Sequence, residues 1–247
     1  MNRLMHDEVV KRLTKQLDSG AFVLHRQKTI PLDAGNDDVV VQKIYVRLQE
    51  EEDKRLPPGA FVAILESCGL MHVLDLWMVR RVMETEAHNT CSIIPISHAS
   101  LRTPSLARII GEIVRERRSS RTVLCLEIAE ADALEYEKDV ARFASDLSKF
   151  DCILGLNAYT GSLSAEWLSQ RGFTYVTFDV DFALTLDRSP QTFLKLRQLN
   201  AMCDRHNIAT IADHVERTET IEKLRTIGID FALGPAVSQP ELLQACA

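Results

Sequence analysis

The sequence predicts an α/β fold, and within that class a (β/α)8 barrel in which one strand runs antiparallel to the others. Short apolar runs alternate with longer amphipathic segments, and several of the apolar runs are nearly continuous. The first two runs are joined by a turn-rich segment instead of a helix. Strands that alternate with helices are typical of a parallel sheet wrapped by helices. A chain of 247 residues suits such a barrel as one domain, so we expect residues 1–247 to form a single domain.

The predicted strands are the short apolar runs. The runs VLCLEIA, VTFDV and IATIAD are apolar at almost every position, as expected when both faces of a strand are buried. The connection PLDAGNDD between the first two strands is rich in turn-forming residues and predicts a hairpin, which makes one strand antiparallel. The strands are predicted at Ala21–Ile30, Val39–Leu48, Thr90–Ser97, Thr122–Ala129, Cys152–Asn157, Tyr175–Asp179, Ile208–Asp213 and Phe231–Leu233.

The predicted helices are the longer segments, in which apolar residues recur every three or four positions. They are placed at Met5–Leu17, Pro58–Cys68, His72–Glu86, Ser105–Arg117, Ala131–Ser148, Ala165–Arg171, Pro190–His206 and Arg217–Ile227. Barrels of this kind carry their functional side chains at the carboxyl ends of the strands. Those ends fall at Gln27, Arg47, Pro95–Ser97, Glu127, Leu156–Asn157, Asp179, Asp213 and Leu233–Gly234.

Composition and charge exclude several classes of function. The formal net charge of −6 argues against a general binder of nucleic acids or membrane surfaces. No apolar run approaches the roughly 20 residues of a membrane span, and the opening MNRLMHDEVVKRL lacks the apolar stretch of a signal peptide. The six cysteines are scattered without a C-x-x-C pair, as in a protein with reduced thiols. We therefore expect a cytoplasmic protein with no membrane and no direct nucleic-acid partner.

Three stretches in the first third of the chain resemble a known family. Phe22–Gln27 reads FVLHRQ, Lys43–Arg47 reads KIYVR, and Pro57–Trp77 reads PPGAFVAILESCGLMHVLDLW. They are similar to the phrases F-x-L-x-x-Q-P, E-A-L-x-R and P-P-x-x-F-I-x-x-A-E-x-x-G-L-I-x-x-L-D-x-W of bacterial EAL domains, which hydrolyse cyclic di-GMP. The resemblance runs almost end to end and implies a modified TIM barrel of the EAL type with one antiparallel strand. The signature glutamate is replaced by Lys43.

The resemblance also implies a set of ligands for two divalent metal ions, and this chain departs from that set. The first ligand, the glutamate of E-A-L, is Lys43, whose ammonium would repel a cation. The second, the asparagine of N-L-S, is Pro95, which has no side-chain oxygen. The third, the first glutamate of E-I-T-E, is retained as Glu127. Mg²⁺ and Mn²⁺ require several oxygen ligands.

The remaining positions of the implied site are altered as well. The paired aspartates of D-D-F-G-T-G align with Leu156 and Asn157, or with Asn157 and Ala158 in a shifted alignment. The lysine of K-I-D is Thr177, although its aspartate is retained as Asp179. The first glutamate of the later motif A-E-G-V-E is replaced by Asp213, which is one methylene shorter, and its second glutamate is retained as Glu216. The glutamine of the last Q-G motif is replaced by Leu233. We therefore expect no Mg²⁺ or Mn²⁺ cofactor and no catalytic residue, with the Lys43 ammonium beside Glu127 or Asp179 instead of a metal.

The residues that remain are suited to holding a nucleotide. The candidate ligand-binding residues are Gln27, Lys43, Arg47, Glu127, Asp179 and Asp213. The guanidinium of Arg47 fits a phosphate with two hydrogen bonds. The alternative for Arg47 is a salt bridge to Glu127 or Asp179 inside an emptied pocket.

These observations predict a catalytically degenerate EAL-like regulator that contacts another protein and that has cyclic di-GMP as a candidate ligand. The alternatives are a cyclic di-GMP receptor proper, or a phosphodiesterase with residual activity. A protein contact, either a homodimer or a heterologous complex, is predicted at Tyr159, Leu163 and Trp167, in and after the loop NAYTGSLS. The alternative is that Trp167 packs on the barrel.

Overall fold

The computed structural model describes residues 21–33, 40–50, 54–56, 62–85, 89–117 and 122–244. The predicted helix Met5–Leu17 lies outside these ranges, as does most of the first connecting segment. In the described part of the chain, no helix is long and apolar enough to cross a bilayer.

The strands form one sheet that closes into a barrel. The strands are β1 (Phe22–Lys28), β2 (Ile30–Pro31), β3 (Val40–Glu50), β4 (Lys54–Leu56), β5 (Thr90–Ile96), β6 (Val123–Ala129), β7 (Cys152–Tyr159), β8 (Phe173–Phe178), β9 (Ala209–Ala212), β10 (Phe231–Ala232) and β11 (Glu241–Leu242). Their order in the sheet is β11-β1-β3-β5-β6-β7-β8-β9-β10-β2, with β4 paired to β3.

The closure of the barrel depends on the first stretch of chain. β1 pairs antiparallel with β3, and β2, one residue further on, pairs antiparallel with β10. β1 and β2 therefore join the two ends of a parallel series that runs from β3 to β10. The predicted barrel with an antiparallel strand is confirmed.

Helices follow most strands and cover the outside of the barrel. They are α1 (Val62–Ser67), α2 (Met71–Thr85), α3 (His98–Leu101), α4 (Leu106–Glu116), α5 (Glu130–Glu135), α6 (Glu137–Leu147), α7 (Ala165–Gln170), α8 (Val180–Thr185), α9 (Pro190–Arg205) and α10 (Thr218–Ile227). Local signals set several ends: Ser189 caps α9, which has proline in its first turn, and Gly228 ends α10 in the left-handed conformation at φ 92°.

Two of these helices have no counterpart in the sequence prediction, and one predicted helix is divided. The four-residue α3 and six-residue α8 are too short to show a helical period. The predicted helix Ala131–Ser148 is broken at Tyr136, which has φ −114° and ψ 41°. The Tyr136 ring stacks on His98 at 5.5 Å between centroids, so a contact distant in sequence overrides the local pattern.

The strands separate two apolar regions. From β3 to β9 most even-numbered strand residues, such as Ile94, Leu126 and Val176, pack in the large core between the sheet and the helices. Most odd-numbered residues face the barrel interior, where Ile93 and Tyr175 belong to a second, smaller apolar cluster. Tyr159 and Phe173 belong to the large core instead, beside the register shifts between β7 and β8. This period of two is the ordinary alternation of a strand. It also decides which polar residues meet inside the barrel.

Candidate functional site

A buried lysine lies at the centre of a polar cluster inside the barrel. The ammonium of Lys43 is 3.1 Å from Oε2 of Glu127 and 3.1 Å from Oδ2 of Asp213. It also donates a hydrogen bond of 3.3 Å to Oδ1 of Asn157. Thr177 completes the group, because its hydroxyl donates to Oε1 of Glu127. We call Lys43, Asn157, Glu127, Thr177 and Asp213 the lysine cluster.

Strand periodicity explains why these residues meet. Lys43 lies on β3, Glu127 on β6 and Asn157 on β7, all at odd-numbered, inward-facing positions. Asp213 follows the last residue of β9. Neighbouring strands of the barrel hold these positions at adjacent levels of its interior, so residues up to 170 positions apart in sequence come into contact.

Lys43 and Glu127 are deeply buried at the centre of the lysine cluster, and Asp213 is partly exposed at its edge. Lys43 is 5% exposed and Glu127 1% exposed. Burial on its own lowers the pKa of Lys43, but the carboxylates of Glu127 and Asp213 outweigh this effect and raise the pKa above its ordinary value. The lysine is therefore charged at neutral pH and lies between two acidic side chains.

Tyr45 is a site residue that the sequence analysis missed. It is the third residue of KIYVR and lies on β3 between Lys43 and Arg47, where the period of two gives all three the same face. Burial, followed by the nearby carboxylate of Asp213, raises the pKa of Tyr45 to about 12. Its neutral hydroxyl and ring therefore fill space beside the lysine cluster. The alternation of strand residues was the signal that could have identified it.

Two residues beside the cluster have strained backbones. Ala158 follows Asn157 and has φ 52°, and His214 follows Asp213 and has φ 62°. Left-handed conformations are unfavourable for residues other than glycine, by about 1–2 kcal/mol each. Both sit where a strand ends and directs a polar side chain into the cluster. Such strain persists where the surrounding structure imposes it, and it is concentrated at functional sites.

The other predicted ligand-binding residues lie outside the lysine cluster. Gln27 is opposite Lys43 in the β1–β3 register, but its amide donates to the carbonyl of Ser238 at 2.7 Å. Arg47 donates to the Val46 carbonyl at 3.0 Å, with its guanidinium 5.5 Å from the Tyr45 ring. Among the described residues, no ion pair joins Arg47 to a carboxylate, so the salt-bridge alternative for Arg47 is wrong.

Asp179 differs from its expected role as a partner of Lys43. Its carboxylate accepts from the amide of Asp181 at 3.0 Å and caps the start of α8. The ammonium of Lys43 lies beside Glu127, as expected, but its second carboxylate partner is Asp213. Asp179 is not available because it begins a short helix that the sequence pattern did not reveal.

The donor set does not fit a divalent cation. A metal among Glu127, Asn157 and Asp213 would have to share the space in which the Lys43 ammonium already contacts all three. Across the described residues, no group of three or more His, Cys, Asp or Glu side chains is placed to hold a metal. The positive charge that this pocket requires is supplied by the chain itself.

The predicted interface residues are placed differently from what a protein contact requires. Tyr159 is 0% exposed and Leu163 is 7% exposed, and the Tyr159 hydroxyl donates to the Leu163 carbonyl at 2.9 Å. Both side chains are used inside the monomer, so the expectation that they form surface anchors is corrected. Trp167 is half-buried against Phe173, and its indole N–H donates to Glu137 at 3.0 Å. This placement agrees with the alternative interpretation, in which Trp167 packs on the barrel.

The loop that holds these residues is fixed by a second buried carboxylate. Glu130, 3% exposed, accepts from the amide and hydroxyl of Thr160 at 2.8 and 2.6 Å and from the amide of Leu163 at 3.0 Å. Glu130 is the second glutamate of EIAE. The sequence analysis assigned it no role, because its partners are thirty residues or more away.

Comparison with known proteins gives the family. The model of the EAL domain family matches residues 10–240. The cyclic di-GMP phosphodiesterase PdeB of Shewanella oneidensis is 24% identical over 239 residues, which is 94% of this chain and 28% of PdeB. The cyclic di-GMP phosphodiesterase PdeF of Escherichia coli is 21% identical over 252 residues, 98% of this chain and 33% of PdeF. The chain therefore spans about a third of the length of these relatives.

Solved structures show the same fold. The FimX EAL domain from Pseudomonas aeruginosa bound to c-di-GMP superimposes with a TM-score of 0.83 at 23% identity, covering 94% of this chain and 96% of that one. The PaMucR phosphodiesterase in complex with c-di-GMP gives a TM-score of 0.81 at 18% identity, with 94% and 97% coverage. The family match over most of the sequence and the shared barrel lead to one conclusion: this chain belongs to the EAL domain family.

Proposed function

We propose that this EAL-family barrel is a regulator that does not hydrolyse cyclic di-GMP and that acts by contacting another protein in a bacterial cytoplasm. The observation that carries the proposal is the position of Lys43. Its ammonium lies within 3.1 Å of two acidic side chains in the barrel, Glu127 and Asp213. The resemblance described above implies metal ions between acidic residues at this end of the barrel, and here a fixed lysine provides the counter-charge.

Hydrolysis of a phosphodiester by this family requires two metal ions that generate a hydroxide and polarise the phosphate. A lysine can attract a phosphate, but it cannot lower the pKa of a bound water to the extent that a divalent cation does. Pro95 lies on β5 and pairs in register with Glu127 of β6, and it has no side-chain oxygen to offer a metal. The chemistry of the residues in the pocket therefore supports the proposed loss of hydrolysis.

Binding of the intact dinucleotide is the second candidate function, and Arg47 favours it. Its guanidinium is partly buried on β3 and engages only a neighbouring carbonyl and the Tyr45 ring among described residues. It therefore retains donors for a phosphate. Lys43 contributes less, because two carboxylates already neutralise it. Relatives of this chain are named cyclic di-GMP phosphodiesterases, which makes this dinucleotide the ligand to test.

A hydrolysis assay tests the first part of the proposal. Purified protein is incubated with cyclic di-GMP and Mg²⁺ or Mn²⁺, and linear pGpG is measured by chromatography. We expect no product above the buffer blank. Turnover by the wild-type protein that disappears in Glu127→Gln would refute the proposal. Turnover that persists in Glu127→Gln would indicate a contaminating enzyme, and the measurement would be repeated on protein from a host without such enzymes.

Titration calorimetry tests the ligand. Cyclic di-GMP is titrated into the wild-type protein with and without Mg²⁺, and into Arg47→Ala. If the dinucleotide is the regulatory ligand, binding is equal with and without Mg²⁺ and is at least about tenfold weaker in Arg47→Ala, as expected for loss of a charge-assisted contact. Arg26→Ala is the matched control, because Arg26 is on β1 and pairs with Glu241 at the surface. Absence of binding leaves protein contact as the mode of action.

A further inference from the structure

Two thiols meet inside the barrel, nearer to its amino-terminal end than the lysine cluster. Cys91 is the second residue of β5 and Cys125 is the third residue of β6, and both have odd-numbered, inward-facing positions. In the register of these strands Cys91 pairs with Val123, and Ile93 pairs with Cys125. The two cysteines are therefore diagonal neighbours on the inner face of the sheet, and their thiols are hydrogen-bonded to each other.

The two thiols line an apolar cavity that offers few other ligands. Its volume is about 180 Å³, and its described lining residues include no carboxylate, imidazole, amine or guanidinium group. The Thr174 hydroxyl already donates to a backbone carbonyl, and the hydroxyl end of Tyr175 lies against Gly155. Cys125 is buried, whereas Cys91 is half-buried. Among the described side chains, the pair of sulfurs is thus the donor set of this cavity, and Cys91 is the side from which solvent reaches it.

A disulfide does not fit the positions of these cysteines. Diagonal neighbours on one face of a sheet have Cα atoms about 7–8 Å apart, whereas a disulfide usually requires about 4.4–6.8 Å. The sulfurs at the ends of the two side chains still approach each other closely enough to share a hydrogen bond. The arrangement therefore suits an atom that lies between the two sulfurs better than a bond that joins them directly.

The hydrogen bond favours the thiolate form of one of the two sulfurs. Contact with Cys125 lowers the pKa of the Cys91 thiol, although burial opposes this effect. The same hydrogen bond, followed by burial, raises the pKa of Cys125, so Cys125 is the thiol that donates. The thiolate is the form of cysteine that binds metals. Cys91, at the side of the pair that solvent reaches, is therefore the sulfur that binds an incoming ion first.

We propose that Cys91 and Cys125 bind a single Cu⁺ ion between their two sulfurs. Soft thiolate ligands select soft ions such as Cu⁺, and Cu⁺ is stable with two sulfur ligands. Zn²⁺ in structural sites takes four ligands, and Mg²⁺ and Ca²⁺ take oxygen ligands, which these side chains do not supply. Binding displaces thiol protons into the solvent. The proposal is independent of the function proposed for the lysine cluster, since it depends on different residues.

Copper loading of the full chain tests the proposal. Reduced protein is mixed with Cu⁺, supplied as its acetonitrile complex in the absence of oxygen, and native mass spectrometry counts the bound ions. Competition with the chelator bathocuproine disulfonate gives the affinity, and X-ray absorption gives the number of sulfur neighbours. We expect one Cu⁺ per chain with two sulfur neighbours. In Cys91→Ser the affinity should fall at least about tenfold, since even residues that only orient metal ligands contribute this much.

Cys203→Ser is the matched control, because Cys203 is a buried thiol of the large core, away from this cavity. This variant should bind Cu⁺ as the wild type does. Cys125→Ser should weaken binding as Cys91→Ser does, and if it does not fold, Cys91→Ala repeats the test at the half-buried position. The proposal is overturned if the wild type retains no Cu⁺ against the chelator, or if folded Cys91→Ser binds Cu⁺ as tightly as the wild type. An equal loss of affinity in Cys203→Ser would also overturn it, because the ion would then bind to thiols without preference.

Discussion

At the scale of single residues, Lys43 is the group on which the charges of the barrel interior depend. Two carboxylates contact its ammonium at 3.1 Å, so removal of the ammonium leaves buried negative charges without a counter-ion. We predict that Lys43→Met lowers the free energy of unfolding by about 3–5 kcal/mol, the cost of breaking a buried ion pair from one side. Urea denaturation measures this change.

Lys28→Met is the matched control for this substitution. Lys28 is 52% exposed and lies 3.9 Å from Glu241, and a surface pair of this kind contributes about 0–1 kcal/mol. A loss in Lys43→Met no larger than in Lys28→Met would show that the ammonium is not the counter-charge of the cluster.

Alkaline pH tests how strongly the folded protein holds the protons of Lys43 and of the neighbouring Tyr45. The folded-state pKa of Lys43 is raised above 10.5 and that of Tyr45 is raised from 10.0 to about 12. The unfolded chain therefore loses both protons before the folded chain does. Their contribution to stability is present in full below about pH 10 and is lost as pH rises toward the folded-state values. We predict that the urea concentration at the midpoint of unfolding decreases as the pH is raised from about 9.5 to about 11.5. Circular dichroism measures this midpoint.

Tyr45→Phe separates the contribution of this residue from that of other tyrosines. The variant keeps the ring and removes the titrating hydroxyl, so its stability should fall less steeply with pH than that of the wild type. Identical slopes for the two proteins would contradict the burial-raised pKa of Tyr45. At pH 7 both proteins hold the same protons, and their difference there measures only the lost hydroxyl.

The site was partly predictable from residue type. The resemblance to the family placed Lys43 and Glu127 in one pocket, and opposite charges in a buried pocket are expected to pair. The choice of Asp213 over Asp179 depended on where β8 ends and α8 begins, and so short a helix leaves no detectable period in the sequence. Tyr159 and Leu163 were assigned to a protein contact because the loop NAYTGSLS was taken as an available interaction face, whereas Glu130 holds this loop against the barrel.

At the scale of elements, that loop between β7 and α7 owes its position to one side chain. Glu130 accepts three hydrogen bonds from Thr160 and Leu163, at 2.8, 2.6 and 3.0 Å. We predict that Glu130→Ala destabilises the protein by about 2–4 kcal/mol, because buried donors lose their acceptor. Amide exchange of Thr160 and Leu163, followed by mass spectrometry, should become faster.

The exposed Glu166 provides a control on the neighbouring helix. Glu166 accepts from Gln170 at 3.1 Å on the surface of α7, and Glu166→Ala should change stability by less than about 0.5 kcal/mol. If exchange in the loop is equally slow in wild type and Glu130→Ala, other packing, such as the buried ring of Tyr159, holds the loop.

The predictability of the elements follows from their length and burial. The central strands β5 to β9 were found because runs buried on both faces are apolar throughout. The strands β4 and β11 have three and two residues and have no periodicity to detect. Their pairing with β3 and β1 is decided by tertiary contacts, as is the break at Tyr136.

At the scale of the whole molecule, we expect the polar layer inside the barrel to be stable without a bound metal. This layer pairs Lys43 with acidic residues from β6 and from the end of β9, so the fold contains its own cation. A barrel that depends on a bound ion is stabilised by that ion. The stabilisation grows with the logarithm of the ion concentration once this concentration exceeds the dissociation constant. A barrel with an internal counter-charge has no such dependence.

This difference leads to a prediction for metal removal. The melting temperature of the wild-type protein should be the same, within about 1 °C, in EDTA and in millimolar Mg²⁺, because no free site couples the ion to folding. In Lys43→Glu the ammonium is replaced by a third carboxylate beside Glu127 and Asp213. This variant should melt well below the wild type in EDTA, since like charges in a buried site repel, and should recover part of the difference when Mg²⁺ is added. A wild-type melting temperature that rises with Mg²⁺, and that stops doing so in Glu127→Gln, would show that the pocket still binds a metal despite its lysine.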